Sequence, residues 1–491
     1  MFVHDLILQG TPNSIAFHGK DCVTYAQFQE QVRRYRNYFY MSGIRAGENV
    51  GLFSRNSAEF VYSYMAIVSL GAVVVPINFQ LTVREITYIV KDAKIKQLVT
   101  MEHLAIDFEL EQLRYGQEVN QHIIPDFKQV LEQTPLPDAP ATGNGFDENH
   151  PCVIIYTSGT TGSPKGAVLT HKNLISNAKA FREMLPVTAN DNVLCVLPMY
   201  HCFAWTCAIL ISLLCGASIT VLEAFAPKET ITAIKEYGVT VIYGVPPMYN
   251  FLTRVGERED LVGVKFFISG GASLPEKVAQ QFADKYGTKI IEGYGLSEAS
   301  PVVTLNPAQK PKYCSIGRAL PGLEVKVVDS KGEVLPPGVV GEIVVRGPSV
   351  MRGYFNLPDE SANALKEGWL HTGDLAYQDT EGYFFVVDRL KDLIISNGEN
   401  IYPREIEELL YAYPGIVEAS VIGVADELRG QVARAYIVLA EGQSFDKKAV
   451  REYLQANLAA YKIPRDFVIV DALPKNQTGK ILKRVLREQV G

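Results

Sequence analysis

The sequence predicts an α/β protein, and three observations carry that prediction. Over roughly the first 300 residues, apolar runs of strand length alternate with stretches of helical periodicity. After about residue 310 this rhythm gives way to short strands separated by tight polar turns. The last hundred or so residues combine two strands with a helix, the makings of a small α+β unit.

The elements follow in order. Thr24 opens the first helix with Gln27 three residues on, a capping box in which each side chain satisfies the other's backbone N–H. Tyr25, Phe28, Val32, Tyr35 and Phe39 then recur at helical spacing until Gly43 stops the helix. Residues 48–53 read as a strand, 58–69 as a helix and 72–77 as an uninterrupted apolar strand, which is the βαβ pattern of a parallel sheet covered on both faces. The pattern resumes with strand 193–197, a helix near 203–215, strand 218–222, helix 228–237 and strand 240–243. Strand 265–268 runs into Ser269-Gly270-Gly271-Ala272. Further on, 323–329, 341–346 and 383–387 read as strands, with turns at Asp329-Ser330-Lys331-Gly332 and Asp379-Thr380-Glu381-Gly382, as in an antiparallel barrel or hairpin set. Strands 419–424 and 433–439 precede a helix at 447–458, and no Pro/Gly/Ser-rich linker marks the boundary before them.

Composition narrows the function classes. The 491 residues are 47% hydrophobic and 21% charged without a low-complexity tract, as expected of an ordered chain of roughly three domains. A net charge of −7 and a pI near 5.7 leave no basic footprint, so nucleic acid is excluded as a partner. Seven cysteines show no Cys-x-x-Cys pair and no metal-ligand spacing; they read as buried reduced thiols in a cytoplasmic protein. Residues 1–5 lack a cationic segment leading into an apolar one, so no secretory signal is expected. The most apolar helix, near 203–215, is shorter than the ~18 residues of a membrane span. Peripheral membrane contact and a homodimer stay open as partner readings.

The densest chemistry lies at residues 156–166, Tyr-Thr-Ser-Gly-Thr-Thr-Gly-Ser-Pro-Lys-Gly. Glycines let successive backbone N–H groups turn toward an anion, hydroxyls add neutral donors, and Lys165 adds a charge suited to phosphate. The Walker A spacing is absent. Taken alone, the segment reads equally as a phosphate nest or as a flexible Gly/Ser/Thr linker. Four further segments follow: Gly293-Tyr294-Gly295-Leu296-Ser297-Glu298; Trp369-Leu370-His371-Thr372-Gly373-Asp374; Asp388-Arg389-Leu390-Lys391-Asp392, ahead of residues 396–403; and Pro474-Lys475-Asn476-Gln477-Thr478-Gly479-Lys480. Each alone is weak, since Thr-Gly-Asp is usually a turn and a terminal Gly-Lys is usually surface.

In this order the five segments resemble the signatures of the adenylate-forming superfamily, which includes acyl- and aryl-CoA synthetases, peptide-synthetase adenylation domains and beetle luciferases. The resemblance runs from the helix near Tyr25 to Lys480. Residues 292–301, 368–374 and 388–392 are most similar to bacterial long- and medium-chain fatty-acid–CoA ligases. It implies an N-terminal domain over 1–388, made of two βα-type sheet subdomains and a small antiparallel β-barrel at about 310–388, and a small mobile α+β C-terminal domain over 389–491. It also implies ATP, Mg2+ and coenzyme A. A fatty carboxylate displaces pyrophosphate from ATP to give an acyl-adenylate, and the thiol of coenzyme A then displaces AMP.

Residue roles follow from the same resemblance. Thr157, Ser158, Gly159, Thr160, Thr161, Gly162 and Lys165 match the hold on the β- and γ-phosphates, and Glu298 matches the magnesium carboxylate. Ser297 stands where the family often has threonine, and its hydroxyl can donate to a phosphate oxygen. Gly270, Gly271 and Ala272, with Tyr294, match the adenine slot; Glu292, Gly293, Gly295 and Val386 belong to the same ATP site, and Asp374 and Arg389 match the ribose contacts. Lys480 matches the catalytic lysine that bridges the attacking carboxylate and the α-phosphate, with Ser297, Glu298 and His201 beside it. Lys391 occupies the hinge position, where other members carry aspartate and where an ordinary solvated lysine is the competing reading; Gly398 is expected at the coenzyme A tunnel.

His201, Tyr243, Gly244, Val245, Met248, Gly295, Pro301 and Val302 are expected to line the acyl pocket, and their small or apolar character suits an alkyl chain. For His201 a satisfied core histidine competes. Residues 200–205 lack the aspartate that amino-acid-activating relatives use to pair an amino group. An aryl- or other carboxylate–CoA ligase and an enzyme loading a carrier-protein thiol remain as alternatives. A regulatory protein that has lost catalysis is disfavoured by the presence of Lys165, Glu298, Asp374 and Lys480.

Overall fold

A computed structural model provides the structure and describes residues 1–19, 21–104, 106, 119–141, 145–157, 164–475 and 481–489. The α/β alternation forms two large mixed sheets. One has seven strands in the order Gly353–Tyr354, Lys165–Thr170, Pro151–Thr157, Val73–Pro76, Asn49–Phe53, Gln97–Thr100 and Asn120–Ile123. Its centre is parallel, and Val73–Pro76 is buried along its whole length, which is why that strand reads as an unbroken apolar run. In the other, nine-stranded sheet, six parallel strands lie in the order Ile15–His18, Ser218–Val221, Asn192–Cys195, Val241–Gly244, Phe266–Ser269 and Ile291–Gly295. Antiparallel Val302–Leu305 continues it beyond Ile291–Gly295.

Local signals hold where they are strongest. The expected capping box starts helix Tyr25–Met41: Gln27 N–H donates to Thr24 Oγ1 at 3.3 Å, and Thr24 N–H donates to Gln27 Oε1 at 2.8 Å. All five apolar residues of its stripe are buried. Helix Ala58–Ser69 has the expected ends. The helix expected near 203–215 differs in kind. It begins as a π-helix over Ala204–Leu210, where Ile211 N–H reaches the carbonyl of Thr206 five residues back, and tightens to an α-helix over Ile211–Cys215.

After residue 310, Glu324–Val328, Gly341–Arg346 and Trp369–Gln378 pair antiparallel, and Leu365–Lys366 and Phe384–Arg389 both join Trp369–Gln378. Among the described residues this five-stranded sheet does not close on itself, so the expected barrel is a half-barrel. The two large sheets and the half-barrel share one apolar core. The C-terminal sheet, with Gly430–Leu439 between Ile416–Asp426 and Asp466–Ile469, has a core of its own around Ile394, Ile406, Leu410, Val421, Ile437 and Leu454. No helix among the described residues is long and apolar enough to cross a membrane.

Candidate active site

The glycine-rich segment sits between two antiparallel strands, Pro151–Thr157 and Lys165–Thr170, whose pairing sets Thr157 opposite Lys165. Ser158, Gly159, Thr160, Thr161 and Gly162 lie outside the described residues, as does Lys480. Strand Gly353–Tyr354 pairs on the outer side of Lys165–Thr170, with Tyr354 opposite Ala167. That pairing brings four side chains together. Lys165 Nζ forms an ion pair with Glu360, and it lies 5.6 Å from the centre of the Tyr354 ring. The Tyr354 hydroxyl donates to Glu298 Oε1 at 2.9 Å. Burial and the neighbouring Glu298 carboxylate hold the Tyr354 phenol well above its ordinary pKa, so it remains a donor. The sequence reading missed Tyr354 and Glu360, because 195 residues separate Lys165 from Glu360 and no local spacing announces the contact.

Strand Ile291–Gly295 runs into a short turn, Ser297–Ala299, which carries Ser297 and Glu298. A side-chain carbon on Gly295 would lie 2.2 Å from the carbonyl oxygen of Pro301, so only glycine fits that crossing. Ser297 Oγ lies 3.3 Å from Cys202 Sγ. Among the described residues no three His, Cys, Asp or Glu side chains gather as a cage for a metal. Glu298 is a single hard carboxylate, which fits Mg2+ held otherwise by substrate phosphates and water. An ion held there would neutralise the charge of phosphate oxygens beside it.

A second cluster joins the nine-stranded sheet to the half-barrel. The half-buried Tyr294 donates its hydroxyl to Asp374 Oδ2 at 2.6 Å, and Arg389 Nε lies 3.1 Å from Asp374 Oδ1. Asp374 and Arg389 face each other across paired strands, so their contact is set by register. Asp374 is buried while Arg389 is half-exposed, so the guanidinium reaches the surface and the carboxylate lies beneath it.

Several of the expected adenine and acyl residues lie together at the ends of two neighbouring strands, Val241–Gly244 and Phe266–Ser269. Gly244 pairs with Ser269, and the N–H of Gly270 donates to the Gly244 carbonyl at 3.3 Å. The Phe203 ring packs so closely over Gly270 that a side-chain carbon there would lie 3.1 Å from it. Gly271 has φ +75°, a conformation that glycine adopts freely, with Ala272 next in the chain. Phe203 meets Tyr243 edge-on at 6.1 Å, and Val245, Met248, Pro301 and Val302 are also buried. Tyr243 is buried with its hydroxyl unpartnered among the described residues. His201 precedes the π-helix, and its Nδ1 accepts from the N–H of Phe203 at 3.2 Å, which puts its ring proton on Nε2.

Glu292 and Val386 both lie beside Arg404 of helix Pro403–Ala412. The Val386 carbonyl accepts from Arg404 at 2.7 Å, and Arg404 N–H donates to Asp388. The Glu292 carboxylate accepts from the N–H of Leu274 at 3.0 Å and faces Arg404 and Glu408. Burial pushes its pKa from 4.5 up to about 7, against the opposing pull of Arg404. The folded chain therefore binds this proton more tightly than the unfolded chain. The stability it contributes is complete below pH 4.5 and is lost as pH rises through about 7. Glu292→Gln keeps the acceptor for Leu274 and removes the titration. Its unfolding midpoint is expected to match the wild type at pH 4 and exceed it at pH 8, by up to about 3 kcal/mol of stability. Parallel melting curves at both pH values check this; a variant less stable than wild type at pH 8 refutes it.

Lys391 is exposed in the turn Leu390–Asp392, which links half-barrel strand Phe384–Arg389 to C-terminal strand Ile394–Ser396. Asn397 and Gly398, with φ of 53° and 81°, form the two-residue turn between Ile394–Ser396 and Glu399–Ile401. Positive φ at both positions is what a tight hairpin requires, so the turn by itself explains the glycine.

Residues 7–355 match the AMP-binding enzyme family, and residues 405–480 match the AMP-binding enzyme C-terminal domain. The chain is 36% identical over 479 residues to a feruloyl-CoA synthase of an Amycolatopsis species, covering 96% of this chain and 95% of that one. It is 34% identical over 516 residues to a long-chain-fatty-acid–CoA ligase of Bacillus subtilis, covering 97% and 91%. Its fold matches ATP-bound MatB from Rhodopseudomonas palustris with a TM-score of 0.93 at 31% identity, over 100% of this chain and 99% of that one. The chain belongs to the AMP-binding enzymes, the adenylate-forming superfamily. Within it, the chain stands with the acyl-CoA ligases.

Proposed function

We propose that the protein is an AMP-forming fatty-acid–CoA ligase. The observation that supports the substrate reading is the buried apolar set Phe203, Tyr243, Val245, Met248, Pro301 and Val302, whose character suits an alkyl chain. In the first half-reaction a carboxylate oxygen attacks the α-phosphorus of ATP, and the bond to pyrophosphate breaks. Lys165 and the hydroxyl-rich segment hold the departing phosphates, Asp374 and Arg389 hold the ribose, and Lys480 lies against the carboxylate and α-phosphate. In the second, the thiol sulfur of coenzyme A attacks the acyl carbon and AMP leaves. Lys480 must withdraw for the thiol to enter, so the chain beyond Lys391 rotates between the halves, and Gly398 then borders the thiol's path.

The unpartnered Tyr243 hydroxyl supports a second reading, an aryl substrate whose ring substituent pairs with it. Acid-dependent AMP release with coenzyme A, measured across fatty acids of graded length and hydroxylated cinnamic acids, separates the two. Fatty acids are expected to exceed the aromatic acids in kcat/KM by tenfold or more on the order-of-magnitude scale of pocket discrimination. The reverse ranking, with Tyr243→Phe impairing only the aromatic acids, replaces the fatty-acid reading with the aryl one. Substituting a phosphopantetheinyl carrier for free coenzyme A tests the acceptor.

A further inference from the structure

Lys165 is already occupied. Its side chain is 13% exposed, and its ammonium is paired with the carboxylate of Glu360, whose side chain is 40% exposed. The pair is held from both ends. Lys165 sits on a strand paired with Pro151–Thr157, and Glu360 sits in the first turn of helix Pro358–Ala364. That turn is tied back to the sheet by Ser361, whose Oγ accepts from the N–H of Tyr354 at 2.8 Å and donates to the Leu357 carbonyl at 2.7 Å. The Tyr354 ring packs beside the same ammonium, and the Tyr354 hydroxyl holds Glu298.

A phosphate and a carboxylate cannot both lie against one ammonium in a half-buried setting without strong mutual repulsion. We propose that Glu360 is a resident counter-ion for Lys165. It neutralises the lysine when no polyphosphate is present, yields it to the β- and γ-phosphates of ATP, and takes it back as pyrophosphate leaves. Glu360 is a positioning residue in this scheme and touches no reacting atom. Its competition weakens the site's hold on both ATP and pyrophosphate, which favours release of the product. The inference rests on the reading of Lys165 as a phosphate ligand proposed above.

The test is a double-mutant cycle in the full chain, read by equilibrium binding of inorganic pyrophosphate and of MgATP. Glu360→Gln is expected to tighten both ligands by about three- to tenfold, the range of a partly exposed ion pair. Turnover measured without pyrophosphatase should slow, and added pyrophosphatase should restore it. Glu360→Asp, which keeps the charge, should bind both ligands like the wild type. In a Lys165→Ala background, Glu360→Gln should change nothing. Weaker or unchanged binding in Glu360→Gln overturns the proposal, as does an equal gain with Lys165 absent. If Lys165→Ala alone leaves both affinities unchanged, the phosphate role of Lys165 fails first, and that outcome is distinct from failure of the counter-ion.

Discussion

Lys480→Ala is expected to lower acyl-adenylate formation by about 10²- to 10³-fold, the cost of removing one positioned charge from a developing anion. As the carboxylate attacks, negative charge moves onto the α-phosphate and toward the leaving pyrophosphate. An ammonium bridging both oxygens is worth more in that transition state than in the ground state, so kcat should fall more than KM rises. Thioester formation from preformed acyl-adenylate should stay within a few-fold of wild type, because the proposed rotation takes the lysine away before the thiol enters. Assaying the half-reactions separately decides the matter. Equal loss in both would refute the two-conformation account and leave Lys480 with a structural role.

Asp374→Ala should produce the second largest effect, and it should appear in binding and stability together. The carboxylate accepts from the Tyr294 hydroxyl at 2.6 Å and pairs with Arg389 at 3.1 Å. Alanine leaves both donors without their acceptor and removes the group that would receive the ribose hydroxyls. A loss on the order of 10²-fold in kcat/KM for ATP is expected, with about 1 kcal/mol of stability, the low end of the cost of stranding polar groups because both donors keep some access to water. Asp374→Asn keeps an acceptor for Tyr294 and removes the charge facing Arg389. It should therefore recover most of the stability and less of the ATP dependence. Chemical denaturation beside ATP-dependent kinetics checks both; an alanine variant with wild-type kcat/KM for ATP refutes the ribose role.

Much of this architecture is legible in the chain because the signals are local. The Thr24–Gln27 box, the apolar stripe of the first helix and the buried run at Val73–Pro76 each lie within one turn or one strand, where periodicity reports burial directly. Asp329–Gly332 and Asp379–Gly382 lie at strand ends as expected, with Gly332 and Gly382 at positive φ. The π-helix at Ala204–Leu210 was not legible, since an apolar segment buried on every side has no periodicity to separate i−4 from i−5 bonding. Nor was it legible that the half-barrel stays open, because closure depends on which edge strands meet, and side-chain alternation is the same in both cases.

The sequence by itself determined the α/β class, the change of texture after residue 310 and the segments dense in polar and glycine residues, because composition, spacing and turn chemistry are properties of neighbouring residues. Only the tertiary structure decided which groups face each other. Tyr294 and Asp374 are 80 residues apart, Tyr354 and Glu298 are 56 apart, and Lys165 and Glu360 are 195 apart. These pairs form because strand register and sheet edges carry distant segments to one place, and register is set by the packing of whole sheets. The glycine-rich segment thus came with its lysine visible and its counter-ion hidden, since a charge's partner is a matter of distance in space and the chain records only distance along itself.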